Sequence, residues 1–132
     1  MTLADTSAWV EYLRATGSDV HLLMRALLER DQLATTDLVL MEVLVGAHDA
    51  DHRVRLKRLL LRCDFVATQG PRDYEDAAEI ARACRRAGET VRGLTDCLIA
   101  SVAIRARLPL LHLDTDFEAI ARHTQLQLAG AR

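Results

Sequence analysis

Short apolar runs alternate along the chain with longer stretches in which apolar residues recur every three to four positions. The runs are "TLAD" (2–5), "QLATT" (32–36), "DFVAT" (64–68), "PLLHL" (109–113) and "LQLA" (126–129), each of strand length. Between them the helical period recurs. A first helix follows Asp5, with Thr6 or Ser7 able to cap it and Trp9, Val10 and Leu13 on one side. A second, over 19–30, repeats Val20, Leu23 and Leu27, and a third runs from a capping Asp37 through Glu42 to Gly46. A basic helix is expected over 52–62, and another over 73–87 with Tyr74, Ala77, Ala78, Ala81 and Cys84 on one face. Beyond the loop "GETVRGLT", Thr95 can cap a helix reaching Leu108, and "DFEAIARH" forms a short last one. Alternating strands and helices predict an α/β fold with a mostly parallel sheet, in one domain over residues 1–132. In such sheets ligands gather beyond the carboxyl ends of the strands. Asp5 and Asp114 each follow an expected strand, which makes them neighbours in space.

Against this pattern one feature is out of place. Four segments set an acid into or directly after apolar residues: "TLADTS" (Asp5), "LMEVL" (Glu42), "LTDCLIA" (Asp96) and "LLHLDTDF" (Asp114 and Asp116). Asp5 and Asp114 can serve as helix caps, and Asp96 can favour the positive end of its helix. Glu42 is harder to explain locally, because it lies mid-helix among apolar neighbours and far in sequence from any arginine. A buried carboxylate is stable when protonated, paired with a base or bound to a cation. Mg²⁺ and Mn²⁺ take oxygen ligands and are commonly held by a few carboxylates together with substrate phosphates. A tertiary arginine partner would answer Glu42 as well.

Composition narrows the classes. Net charge is −2, so no bulk basicity marks a nucleic-acid binder, yet 16 of 17 basic residues are arginine and only Lys57 is lysine. Arginine forks onto phosphate where lysine does not, although genome base composition produces the same bias. "RVRLKRLLLR" (53–62) reads as an amphipathic helix with a basic side open to RNA or an acidic partner. Few aromatic residues are present, which speaks against a base-stacking platform. The three cysteines, 63, 84 and 97, are widely spaced, excluding a disulfide framework or thiolate zinc site and fitting a cytoplasmic protein. No apolar run has membrane-spanning length, and the N-terminus lacks a secretory layout. His48 and His52 stand four apart in a polar stretch and read as an exposed turn. "DTD" after an apolar strand resembles the phosphatase motif that opens the haloacid-dehalogenase fold, but too little chain follows Asp116 to build one.

"ADTS" at the start, "LVLMEVLVGA" after a short strand, "GLTDCLIASVA" in the third quarter and "HLDTDFEAIA" near the end together resemble the PIN domain, most nearly the VapC-like toxins of toxin–antitoxin pairs. The resemblance runs nearly end to end, with the motifs in order. It implies a three-layer α/β fold and an acidic quartet of Asp5, Glu42, Asp96 and Asp114 or Asp116 that binds one or two Mg²⁺ or Mn²⁺ ions. It also implies an endoribonuclease that cuts structured RNA to 5′-phosphate and 3′-hydroxyl ends, and a homodimer inhibited by a small antitoxin. Thr6 or Ser7 would orient Asp5 or a water, and Arg92 would either hold the scissile phosphate or stand as a solvated surface arginine. The alternatives are a PIN-fold module that binds RNA or a partner without cutting, and a flap-endonuclease-like DNA nuclease, for which the chain is short.

Overall fold

In a computed structural model that describes residues 1–130, the central run "TLA" becomes the central strand, and everything else is arranged about it. The strands are β1 (Thr2–Ala4), β2 (Leu33–Thr35), β3 (Asp64–Phe65) and β4 (Leu110–Leu111). The helices are α1 (Thr6–Leu13), α2 (Asp19–Glu29), α3 (Asp37–Val45), α4 (Ala50–Leu60), α5 (Arg72–Arg86), α6 (Leu94–Ala106) and α7 (Thr115–His123). All strand pairs are parallel, in the order β3-β2-β1-β4, with Leu3 opposite both Ala34 and Leu110. Leu3 and Ala4 point to opposite faces, and both are wholly buried. Helices therefore cover the sheet on both sides, which is why β1 reads as a continuous apolar run instead of an alternating one. The fold is the expected three-layer α/β arrangement. Trp9, Met24 and Phe117 are the bulky side chains of α1, α2 and α7 that fill the core.

Several local expectations need correction. "LQLA" is not a strand: only Leu128 bridges, to Leu110, because β4 ends two residues in and leaves nothing further to pair with. Asp37 is the first residue of α3 and not its cap. Its carboxylate instead accepts from the Thr68 hydroxyl at 2.9 Å and ties the loop after β3 to the start of α3. Thr95 is not a cap either, since Gly93 occupies that position on α6 without a side-chain bond. Asp5, not Thr6 or Ser7, caps α1. On α1 the buried residues are Ala8 and Trp9, while Val10 and Leu13 are exposed. On α5 the buried stripe is Asp73, Ala77, Ile80 and Cys84, with Tyr74 outside.

The charged member of that stripe is explained by α6. Arg105 donates through Nε and Nη2 to the two carboxylate oxygens of Asp73, each at 2.9 Å, and Nη2 also reaches the Ala67 carbonyl. Burial pushes the Asp73 carboxyl up, but the Arg105 bonds and the Gln69 amide more than reverse this and leave it below its ordinary value. Removing one side of a buried pair strands the other charge away from water. Arg105→Met is expected to cost about 3 kcal/mol, read as a lower urea midpoint at unchanged slope.

Candidate active site

The three strand-end and helix-start positions converge as the parallel topology requires. Asp5 follows β1 and caps α1, Asp114 follows the adjacent β4 and caps α7, and Asp96 lies in the first turn of α6. Carboxylate oxygens of Asp96, Asp114 and Asp116 lie within 4.8 Å of one another. Asp114 and Asp116 thus both stand close to Asp96. Asp5 and Glu42 complete the cluster from further out, each held by a hydroxyl. Ser7 donates to Asp5 Oδ2 from its amide at 3.0 Å and from its Oγ at 2.6 Å. Thr6 Oγ1 donates to Glu42 Oε1 at 2.7 Å, across from α1 to α3. No arginine neutralises Glu42 among the described residues; a neighbouring hydroxyl and partial solvent access serve instead.

The electrostatics follow from the crowding. Burial, then Asp114, Asp5, Asp116 and Glu42 in that order, push the Asp96 carboxyl up to about 7. The same set of acids is therefore felt at one point, which is the sense in which they form a single site. His112 lies beside them, its pKa lowered by burial against the opposing pull of Glu118, Asp5 and Asp114. A cleft of about 980 Å³ between α2, β4 and α7 is lined by Asp114 but by none of the other four acids, and so lies to one side of the cluster.

Arg92 lies exposed in the loop just before Asp96 and forms no ion pair among the described residues. Two features here have no counterpart in the sequence reading. Glu89, in the same loop, is clamped by Arg122 and His123 at the end of α7. Ser7 Oγ also accepts from the Leu113 amide at 2.8 Å, bridging the β1 and β4 ends of the site. Neither pairing has a sequence signal, since each joins residues far apart in the chain. His48 and His52 stack at the start of α4, 4.8 Å between centroids, at the protein surface.

The donor set suits a hard divalent cation: every side chain that converges offers carboxylate oxygen, and the four other acids push the Asp96 carboxyl up, as crowded like charges do.

Acids gathered from two strand ends and two helices at one edge of a parallel α/β sheet define a PIN domain, and the model of that family matches residues 2–123. The chain is 46% identical, over all of its length and all of theirs, to the VapC ribonuclease Mb1587 of Mycobacterium bovis and to ribonuclease VapC11 of Mycobacterium tuberculosis. It therefore belongs to the PIN-domain family, in its VapC branch. Among solved structures it resembles VapBC2 of Rickettsia felis bound to a promoter DNA fragment, with TM-score 0.76 and 18% identity over 99% of this chain and 98% of that one. A toxin–antitoxin complex from Klebsiella pneumoniae gives TM-score 0.64 and 25% identity over 89% and 90% of the two chains.

Proposed function

We propose that the chain, as a single PIN domain over residues 1–132, is the toxin of a toxin–antitoxin pair and an endoribonuclease dependent on Mg²⁺ or Mn²⁺. Its substrate is structured RNA, such as a tRNA or rRNA loop, cut by hydrolysis to 5′-phosphate and 3′-hydroxyl ends in the cytoplasm. The observation that carries this reading is the convergence of Asp5, Glu42, Asp96, Asp114 and Asp116 in a chain so similar to VapC ribonucleases.

Asp96, Asp114 and Asp116 would hold the cation, with Asp5 and Glu42 completing its surroundings. A bound divalent ion lowers the pKa of water and offsets charge on the phosphate. The protein's own groups do the positioning. Ser7 and Thr6 aim Asp5 and Glu42, and Arg92, exposed in the loop before α6, would take a phosphate oxygen. A 2′-hydroxyl route would need an acid and a base, commonly two histidines. Here one histidine lies beside the acids, and its Nδ1 is already engaged by the Asp114 amide at 3.0 Å. Hydrolysis by water needs no histidine pair, which fits a site built of carboxylates.

The partners follow in the same proposal: a small VapB-like antitoxin, as in the complexes that share the fold, and a second copy of the chain. Met41 and Val45, which flank Glu42 on α3, are 53% and 81% exposed, and Leu94 at the start of α6 is 70% exposed; uncovered apolar side chains of this kind suit self-association. No helix among the described residues is long and apolar enough to cross a membrane.

The test is cleavage of end-labelled total cellular RNA by antitoxin-free protein with Mg²⁺, Mn²⁺ or chelator. Discrete fragments with 5′-phosphate ends, absent in chelator, are expected. Intact RNA in every lane, from folded protein, would shift the assignment to a non-cleaving PIN module.

A further inference from the structure

Two of the converging acids share one short loop, and that loop is held by side chains more than by backbone. Between β4 and the first turn of α7, the Leu113 amide donates to Ser7 Oγ at 2.8 Å, the Asp114 amide to His112 Nδ1 at 3.0 Å and the Asp116 amide to Asp114 Oδ1 at 2.9 Å. The middle bond uses histidine in an uncommon way. Nδ1 stands as far along the side chain as the Oδ1 of asparagine, so accepting from the amide two residues on reproduces an Asx turn. An accepting Nδ1 places the ring hydrogen on Nε2. The ring packs against Phe117, 5.4 Å between centroids, and Phe117 is wholly buried on the helix that this loop begins. His112 therefore touches both the peptide of Asp114 and the body of α7.

We propose that His112 is a positioning residue for the acidic centre: its Nδ1 holds the Asp114 peptide and thereby sets where the Asp114 and Asp116 carboxylates stand relative to Asp96. The proposal rests on the cation site proposed above, and on the ribonuclease reading only for its kinetic arm. Removing the acceptor frees the Asp114 amide, and the two carboxylates move together, because Asp114 in turn holds the Asp116 amide. Residues that orient ligands from behind are commonly worth 10- to 100-fold in metal affinity.

Three substitutions separate the roles of the ring. His112→Asn keeps an acceptor at the Nδ1 position without the ring. His112→Gln offers polar atoms near the Nε2 position only, and His112→Leu keeps bulk without either. Mn²⁺ binding by calorimetry, melting in chelator, and the kcat and KM for RNA would be measured for each. Leu and Gln are expected to weaken Mn²⁺ binding by roughly 10- to 100-fold and to lower kcat with KM for RNA unchanged, while Asn restores most of both. Equal Mn²⁺ binding in all variants would overturn the proposal. So would rescue by Gln instead of Asn, or losses in all three that track melting temperature alone. Should the wild-type protein cut no RNA, the Mn²⁺ titration still decides the role of His112, and the failure belongs to the ribonuclease reading.

Discussion

Asp5→Asn is expected to lower RNA cleavage by roughly a hundredfold or more while leaving the melting temperature in chelator close to that of the wild type. The two halves of this expectation come from the two roles of one side chain. As the cap of α1, Asp5 accepts from the Ser7 amide and hydroxyl. Asparagine is as good a cap as aspartate, and its Oδ1 can accept the same bonds. As a member of the acidic cluster, Asp5 contributes a full negative charge from a nearly closed position, 4% exposed, where asparagine contributes none. The substitution thus removes charge and keeps architecture. End-labelled RNA and a thermal melt on the same preparation check both halves. Full cleavage in the variant would take Asp5 out of the site.

Asp96→Asn should separate stability from activity in the opposite direction: the cation-free variant melts higher than the wild type and cuts nothing. The reason is the raised pKa of Asp96, about 7 in the folded chain against an ordinary value of 3.8. Between those two pH values the folded protein keeps a proton that the unfolded chain has given up. Its stability therefore falls as pH rises from about 4 to about 7 and is level above that. Asp96 is only half-buried, so solvent screening reduces the cost at pH 8 to roughly 1–2 kcal/mol, or several degrees of melting temperature. In chelator, the difference in melting temperature between variant and wild type is expected to grow from pH 5 to pH 8. Adding Mg²⁺ at pH 8 should stabilise the wild type and not the variant. If the two proteins melt together at pH 8, the crowding of acids about Asp96 is not real.

Of the acids only Glu42 breaks a local rule, standing mid-helix among apolar residues. Asp5, Asp96 and Asp114 each suit a helix start, and it is the repetition of an acid beside apolar residues in four segments that drew them together. The parallel fold was legible from the alternation of short and long apolar patterns, and it alone places Asp5 and Asp114 together. What escaped was whatever depends on pairs distant in the chain. The clamp of Glu89 by Arg122 and His123, the Arg105 fork on Asp73 and the hydroxyl of Thr6 on Glu42 leave no periodic trace. Helix caps were misread at Asp37 and Thr95 for a related reason. A polar residue before an apolar helix is an invitation to cap, but Asp37 finds a better partner in Thr68, across the fold. For α3, an apolar sequence around Glu42 suggested burial on every face, whereas Met41 and Val45 are exposed.

The bridge from Ser7 to the Leu113 amide bears on how such a protein is made. It joins residues 106 positions apart, and Asp114 and Asp116 lie just beyond it. During synthesis the Asp5 end of the site emerges early, with nothing to complete it until the segment after β4 has left the ribosome. A chain still being translated therefore has no assembled acidic centre. In this topology the acidic centre is the last part of the fold to close, because its two sides meet only when the residues after β4 are free to pack against Ser7.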